Sequence, residues 1–305
     1  MMRIEREYDR IRRQERQAQQ QRIAEAYARV PALAEIERDR QATFAEAAAR
    51  RLAPAAARER LSALSCREQR LLAENGFSPD ALELHYRCAA CRDTGYLGSG
   101  LRRPCACRLK LRALLDPAVQ INDRETFEAF DAGVYPAEPQ KKQALAAKKF
   151  CESYVSSLPE PERPNLLLMG MAGLGKSYLG NAIAYRALER GIDAARTTAY
   201  GFVQDMLSGI RGDGSRAALY RRAPLLVLDD LGTEPVIPNV SEESLFAVLN
   251  ERIGRRLPTV LATNLDFSAL QQRYGERVFS RLTDSAASRV LRLEGENLRW
   301  RRPPC

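Results

Sequence analysis

The sequence predicts an α/β domain built on a parallel sheet, preceded by a helical arm and a small cysteine-rich module. From Leu166 onward, short apolar strands alternate with helical segments. A glycine-rich stretch, Gly170–Ser177, follows the first of these strands and precedes a helix. Residues 1–86, in contrast, are rich in Ala, Arg, Glu and Gln and nearly free of glycine, as helices are. A chain of 305 residues also exceeds the usual size of one hydrophobic core, which favours more than one domain.

Charge and composition narrow the class of function. Lys plus Arg number 48 and Asp plus Glu 39, giving a net charge of +9, which favours an anionic partner such as a nucleotide or a nucleic acid. The sequence has no apolar run of transmembrane length and no secretory signal, so we expect a cytoplasmic protein without a membrane partner. The single histidine, His85, and the lack of a G-x-S-x-G motif exclude a Ser-His-Asp hydrolase.

Residues 1–86 are predicted to form a helical arm. Apolar residues in its first half recur at a spacing close to 3.6, which predicts one or two amphipathic helices. Pro31 and Pro54 are expected to mark helix starts or breaks, and Ser78-Pro79-Asp80 predicts the start of another helix. Because the arm has few large apolar residues, we expect it to bind a partner protein; a hairpin packed on its own chain is the alternative.

Residues 87–112 are predicted to form a metal-binding module. Two cysteine pairs flank a loop of thirteen residues that is rich in glycine, and four thiolates could hold Zn²⁺ there without a hydrophobic core. An iron–sulfur cluster or unmetallated thiols are the alternatives, and His85 could replace one ligand. The predicted zinc ligands are Cys88, Cys91, Cys105 and Cys107.

The remaining chain divides into a link and a nucleotide-binding core. Residues 113–165 are predicted to be a link that contains a helix over 141–155. Residues 166–305 form the α/β core, in which five strands are predicted at the segments LLLMG, IDAARTT, PLLVLDD, PTVLATN and SRVLRLE.

The stretch from Gly170 to Ser177 matches the phosphate-binding pattern G-x-x-x-x-G-K-[ST]. Its glycines let backbone N–H groups turn inward around phosphates, and the following helix adds the positive end of its dipole. Lys176 is expected to reach the β- and γ-phosphates and the Ser177 hydroxyl to hold Mg²⁺. The predicted nucleotide-binding residues are Gly170, Gly173, Leu174, Gly175, Lys176, Ser177 and Tyr178.

Polar residues at two later strand ends complete the predicted site. An apolar strand runs into Asp229, which we expect to bind Mg²⁺, and Asp230, which we expect to polarise the attacking water; Glu234 is the alternative base. Asn264 follows the next strand and is expected to orient the water or sense the γ-phosphate. Arg277 and Arg281, spaced i and i+4, form either a solvated basic face or a contact to a neighbouring subunit's γ-phosphate.

Taken together, these motifs resemble a known family. GMAGLGKS, LLVLDDLGTE, LATN and GERVFSRL, in this order, are similar to the AAA+ domain of bacterial replicative helicase loaders of the DnaC/DnaI type. The cysteine module resembles the zinc module of the DnaI-like branch, and the segment Arg124–Asp131 resembles the lead-in that borders the adenine pocket. The resemblance covers about residues 85–299, and the first 80 residues match no motif.

The resemblance implies a fold, cofactors and residue roles. The fold is a P-loop AAA+ ATPase domain, and the cofactors are ATP or ADP, Mg²⁺ and Zn²⁺. Arg299 is similar to a late C-terminal arginine of the family. Asp230 stands where many AAA+ proteins carry glutamate, which predicts slow turnover. The implied roles are Walker A for Lys176 and Ser177, Walker B for Asp229 and Asp230, sensor 1 for Asn264, and the arginine finger for Arg281 with Arg277 beside it.

The family also implies a function. We expect an ATPase that loads or remodels a hexameric replicative helicase on single-stranded DNA, with the arm and zinc module gripping the helicase. Copies of the chain would assemble in the presence of ATP through Arg281. We place the DNA contact at Phe202 and the loop 211–214. The alternatives are an IstB-type transposition helper ATPase, which the cysteine module disfavours, and an adaptor switched by nucleotide without hydrolysis.

Overall fold

The computed structural model describes residues 2–98, 103–116, 119–210 and 215–301. The chain forms two compact units, Met1–Gly95 and Tyr96–Cys305. Among the described residues, no helix combines the length and the apolar character needed to cross a membrane.

The first unit consists of three helices: α1 (Met2–Arg29), α2 (Leu33–Ala48) and α3 (Pro54–Glu74). The amphipathic pattern predicted one or two helices in the first half of the arm, where α1 and α2 lie. Pro31 lies in the turn between α1 and α2, and Pro54 is the first residue of α3, so both prolines lie at helix boundaries as expected. This unit contains a small apolar cluster with four buried members: Ala26, Val30, Leu33 and Leu72.

The helix predicted to begin at Ser78-Pro79-Asp80 is absent, so this prediction was wrong. Residues 79–82 form turns instead, and the Ser78 hydroxyl donates to the Asp80 carboxylate rather than to a helix N-terminus. Backbone carbonyls of this segment accept hydrogen bonds from side chains of α1 instead. Gln19 donates to Leu82 O at 2.8 Å, and Arg22 donates to Ala81 O at 3.0 Å.

The second unit begins with a small ribbon and two helices. Strands β1 (Tyr96–Leu97) and β2 (Arg103–Pro104) pair antiparallel between the two cysteine pairs. Helix α4 (Ala106–Leu115) follows, and α5 (Glu138–Ser156) contains the helix predicted over 141–155, which is confirmed.

A five-stranded parallel sheet forms the centre of this unit, in the order β4-β5-β6-β3-β7. All five predicted strands are present, and the predicted P-loop AAA+ fold class is confirmed. The strands are β3 (Asn165–Met169), β4 (Ala194–Thr198), β5 (Leu225–Leu231), β6 (Thr259–Thr263) and β7 (Ser288–Arg292).

Helices cover both faces of the sheet. They are α6 (Lys176–Glu189), α7 (Ala199–Ile210), α8 (Ser215–Arg222), α9 (Ser241–Gly254) and α10 (Phe267–Thr283). Neighbouring β3 residues show the two cores: Leu166 and Leu168 pack with residues of α5 and α6, whereas Leu167 packs with residues of α7, α9 and α10. Neighbouring residues face different cores because side chains alternate along a strand. The carboxyl ends of the parallel strands all lie at one edge of the sheet.

Candidate functional site

The phosphate loop joins β3 to α6 and depends on its glycines. Gly170, Gly173 and Gly175 have φ angles of +145°, +78° and +93°, which residues with a side chain rarely adopt. A Cβ atom on Gly175 would also lie only 2.9 Å from the Tyr135 hydroxyl. The loop therefore has the shape that turns backbone N–H groups toward a bound phosphate.

Lys176 is the first residue of α6 and is buried within the loop. Its Nζ atom donates to Gly170 O at 2.6 Å and to Met171 O at 2.7 Å. Burial lowers the pKa of this ammonium group, and the carboxylates of Asp230 and Asp229 partly oppose the shift. The loop thus holds a buried cation at the place where a phosphate chain would need one.

Ser177 and Asp229 meet, as the sequence predicted. The Ser177 hydroxyl donates to Asp229 Oδ1 at 3.0 Å, although the two residues are 52 positions apart in the chain. A hydroxyl and a carboxylate in contact at a phosphate loop are the oxygen donors that Mg²⁺ takes in such sites, so the side chains fit a magnesium–nucleotide complex.

Arg196 is a site residue that sequence reasoning missed. Its Nη2 atom lies 2.6 Å from Asp229 Oδ2, and both side chains are largely buried. Its Nη1 atom donates to Gln120 O, so one guanidinium joins the link before the lead-in to the Asp229 carboxylate. An arginine within the otherwise uncharged β4 segment AARTT was the available signal.

Asp230 follows directly and is half-buried. Burial and the neighbouring charge of Asp229 raise the pKa of its carboxyl. Its φ of +53° is unusual for a residue with a side chain, although Asp tolerates this region better than most. A carboxyl with a raised pKa beside a phosphate loop suits a proton acceptor.

Glu234, the alternative base, is bound into the fold. Its Oε2 atom accepts from Gly232 N at 2.9 Å, and its Oε1 atom accepts from the Tyr274 hydroxyl at 2.5 Å. Arg273 lies 3.8 Å from the same oxygen. These contacts connect the loop after β5 to α10, which leaves Asp230 as the candidate base.

Asn264 is exposed at the same sheet edge. It follows Thr263, which pairs with Met169, so Asn264 and Gly170 are the next residues on two adjacent strands. The Thr263 hydroxyl donates to Leu231 O at 2.7 Å and accepts from Leu265 N at 3.1 Å, which fixes the turn after β6. The expected proximity to the phosphate loop is therefore present.

Arg277 and Arg281 lie on α10 beyond a break at Gly275 and face α9. The Arg277 guanidinium lies over the Phe246 ring at 4.2 Å and 3.7 Å from Glu243. Arg281 Nε donates to Asn250 Oδ1 at 3.3 Å. Within the described residues, neither arginine bonds to the phosphate loop of its own chain.

The predicted DNA contact at Phe202 is wrong. Phe202 is 2% exposed and its ring centroid lies 5.6 Å from that of Tyr220. Phe202, Val203 and Met206 form the apolar face by which α7 covers the sheet, and their helical spacing was the signal for burial. The loop 211–214, the other predicted DNA contact, lies outside the described residues.

The segment predicted to border the base is fastened to α6. The buried amide of Asn181, also missed from sequence, donates to Asn122 O at 2.7 Å and to Glu125 O at 2.9 Å. The Tyr178 hydroxyl donates to Thr126 O at 2.7 Å. Tyr178 thus contacts the lead-in, and its ring centroid lies 5.6 Å from that of Phe130.

The four predicted zinc ligands come together: their Sγ atoms lie within 4.8 Å of one another. Tetrahedral zinc with bonds of about 2.3 Å requires sulfur atoms about 3.8 Å apart, which is compatible with this cluster. The Asp93 carboxylate shapes the first pair by accepting from Arg87 N at 2.9 Å and Cys88 N at 2.8 Å. The His85 ring turns to Asp80 O instead, at 3.1 Å.

Comparison with known proteins places this site in a family. The family model described as IstB-like ATP binding protein matches residues 110–302. The chain belongs to this family. The match includes the phosphate loop, both aspartates, Asn264 and the two arginines of α10.

Individual relatives come from insertion sequences and from replication. A Sinorhizobium fredii protein named as an insertion sequence ATP-binding protein is 32% identical over 146 residues, covering 44% of this chain and 56% of that protein. The replicative helicase loader DnaI of Bacillus subtilis is 28% identical over 148 residues, covering 44% and 47%. The chain thus spans about half the length of these curated relatives. Relatives of both kinds agree with the predicted resemblance at the level of the wider family.

Solved structures give matches of lower similarity. The crystal structure of the DnaC helicase loader has a TM-score of 0.48 and 20% identity, covering 57% of this chain and all of that one. The crystal structure of DnaI has a TM-score of 0.47 and 20% identity, covering 61% and 98%.

Proposed function

We propose that this protein binds ATP with Mg²⁺ at the phosphate loop and hydrolyses it slowly to ADP and phosphate. The observation that carries the proposal is the contact of Ser177 with Asp229 beside the buried Lys176. A serine hydroxyl, a carboxylate and a lysine at one glycine-rich loop are the parts that nucleotide hydrolysis uses.

Each residue then has a role in the reaction. The loop N–H groups and Lys176 hold the phosphates, and Ser177 and Asp229 hold Mg²⁺, which supplies positive charge that polarises the phosphoryl oxygens. Asp230 accepts the proton of the attacking water, as its raised pKa suits, and Asn264 orients that water. Turnover is slow because the aspartate side chain is shorter than the glutamate of many AAA+ proteins.

ATP also controls assembly in this proposal. Arg281, with Arg277 beside it, contacts the nucleotide of a neighbouring copy, so copies associate in the presence of ATP. Both arginines carry only weak contacts to α9 in the single chain, which leaves their charge available to a phosphate in a partner.

The partner that we propose is a hexameric replicative helicase on single-stranded DNA. The arm (1–86) and the zinc module (87–112) grip the helicase, and the link (113–165) joins them to the ATPase core (166–305). The cluster of four cysteines supports this choice, as does the relative named as a replicative helicase loader. Because Phe202 is buried, the loop 211–214 is the remaining proposed contact with DNA.

A helper ATPase for transposition is the second candidate. The family model over residues 110–302 and the insertion-sequence relative favour it, and its partner would be a transposase. The two candidates share the ATPase chemistry and differ in the protein that is bound.

Gel filtration of the full chain with the host's replicative helicase tests the proposal. We expect co-elution with ATP, its loss in a variant without residues 1–95, and its persistence without ATPase turnover in Asp230→Asn. No co-elution under any nucleotide condition would contradict helicase binding, and co-elution with a transposase instead would establish the second candidate. ATP binding without hydrolysis, even with DNA present, would identify a nucleotide-switched adaptor.

A further inference from the structure

The chain after β7 crosses the phosphate loop. Leu293 N donates to Met169 O at 2.8 Å, which extends the pairing of β7 with β3. Five residues later, Leu298 N donates to Gly173 O at 3.1 Å. We call residues 294–299, which include this second contact, the C-terminal strap.

The strap and the residue before it, Leu293, lie directly against two glycines of the loop. A Cβ atom on Gly173 would lie 1.7 Å from Asn297 Oδ1, and one on Gly170 would lie 2.1 Å from Leu293 O. Gly173 therefore leaves room for the strap and Gly170 for Leu293, in addition to allowing the turn of the loop. The Asn297 Oδ1 atom also accepts from Arg299 N at 2.9 Å, which shapes the end of the strap.

A buried glutamine on α5 holds the strap in place. Gln140 is 7% exposed, and its Nε2 atom donates to Glu296 O at 2.9 Å while its Oε1 atom accepts from Glu296 N at 3.2 Å. A Cβ atom on Gly295 would lie 2.3 Å from Gln140 Cδ, so the Gly295 backbone packs directly against the Gln140 side chain. One turn further along α5, Gln143 Oε1 accepts from Glu294 N at 2.8 Å.

We propose that Gln140 is a positioning residue for nucleotide binding, acting through the strap. In a trans peptide the C=O and N–H groups point in opposite directions. Because Gly173 O is bonded to the strap, the N–H of Leu174 in the same peptide points away from it, where a phosphate can accept. Gln140 therefore fixes one N–H of the loop before nucleotide arrives. This inference rests on the proposed nucleotide binding at the loop.

The expected kinetic effect follows from where the strap acts. The strap orders the loop both for bound ATP and for the transition state of its hydrolysis. Loss of the strap therefore weakens the binding of both states by the same factor. The Kd and KM for nucleotide rise, and kcat at saturating ATP stays the same. A residue needed only for folding would instead lower the fraction of active protein without changing the Kd of the remainder.

The test uses full-length Gln140→Glu and Gln140→Leu, with ADP and Mg²⁺ as the probe in calorimetry. Gln140→Glu keeps the size but loses the donor to Glu296 O; Gln140→Leu loses both bonds and adds no charge. Gln41→Glu is the matched control, because exposed Gln41 on α2 also donates to one acceptor, Glu37 Oε1 at 3.1 Å. Hydrogen exchange of peptides covering residues 294–299 reports the strap directly.

We expect both Gln140 variants to bind ADP about tenfold more weakly than the wild type and to exchange faster in the strap. Gln41→Glu should match the wild type in both measurements. Wild-type Kd values in the Gln140 variants, or unchanged exchange in the strap, would overturn the inference while leaving the proposed function intact. Failure of the wild type itself to bind ADP would instead refute the proposed function, and the role of the strap with it.

Discussion

Replacing Arg252 tests how the nucleotide-binding unit is held together. Arg252 on α9 has 0% exposure, and four acceptors surround its guanidinium without a carboxylate among them. The donor–acceptor distances are 2.9 Å from Nε to Thr259 Oγ1, 2.9 Å from Nη1 to both Tyr220 O and Ala223 O, and 2.6 Å from Nη2 to Pro258 O. One side chain thereby joins the end of α8 to the start of β6.

The size of the effect of Arg252→Met can be worked from these bonds. Methionine fills the volume of the stem but donates no hydrogen bond, and four bonds at about 1 kcal/mol each give about 4 kcal/mol. Removing the buried charge returns part of this, because burial disfavours the protonated guanidinium and lowers the pKa of Arg252 to about 10. We expect a net loss of about 2–3 kcal/mol in the free energy of unfolding.

The assay is urea unfolding at pH 7 followed by far-UV circular dichroism, fitted with two transitions because the chain has two compact units. Arg221→Met is the control: Arg221 lies 3.2 Å from Glu251 in a partly exposed pair, whose loss should cost under about 1 kcal/mol. Equal urea midpoints of the two variants, in both fitted transitions, would refute the structural role given to Arg252.

Four further outcomes are expected. Lys176→Ala should abolish ADP binding in calorimetry while the circular dichroism spectrum stays unchanged; wild-type affinity would contradict its place in the site. Asp230→Asn should keep nucleotide binding and lose phosphate release. Because the pKa of Asp230 is raised in the folded state, its stabilising contribution is complete at low pH and is lost as pH rises through the folded pKa, so the asparagine variant should melt higher than wild type at pH 7 and lose that advantage toward pH 4. The Arg281→Ala variant should bind ATP normally but should not assemble in the presence of ATP, as measured by light scattering. Unchanged assembly would contradict the assignment of Arg281 as the arginine finger. A chelator should release about one zinc ion per chain, measured with a metal indicator, and Cys105→Ser should bind none tightly; iron in the purified protein would point to a cluster instead.

Features that depend on neighbouring residues could be predicted from the sequence. The phosphate loop is one contiguous pattern, so Lys176 and Ser177 were identifiable without a fold. The five strands were predictable because short strand-like segments, apolar in β3, β5 and β6, alternate with helical segments, and Asp229 and Asn264 could be placed because parallel strands end at one edge of a sheet. The cysteine pairs were predictable because a short loop brings them together.

Features that depend on contacts between distant segments were decided by the tertiary structure. Arg196 on β4 reaches Asp229 on the neighbouring β5, Arg252 joins the end of α8 to the start of β6, and Gln140 reaches a strap 156 positions later in the chain, none of which a local pattern encodes. Phe202 carried two competing signals, because an aromatic residue after a strand suits a ligand contact whereas its helical spacing with Val203 and Met206 suits a core, and the packing of α7 on the sheet selects the core. The physical reason is that burial and hydrogen-bond partners depend on where the other segments lie, whereas backbone pattern and spacing do not.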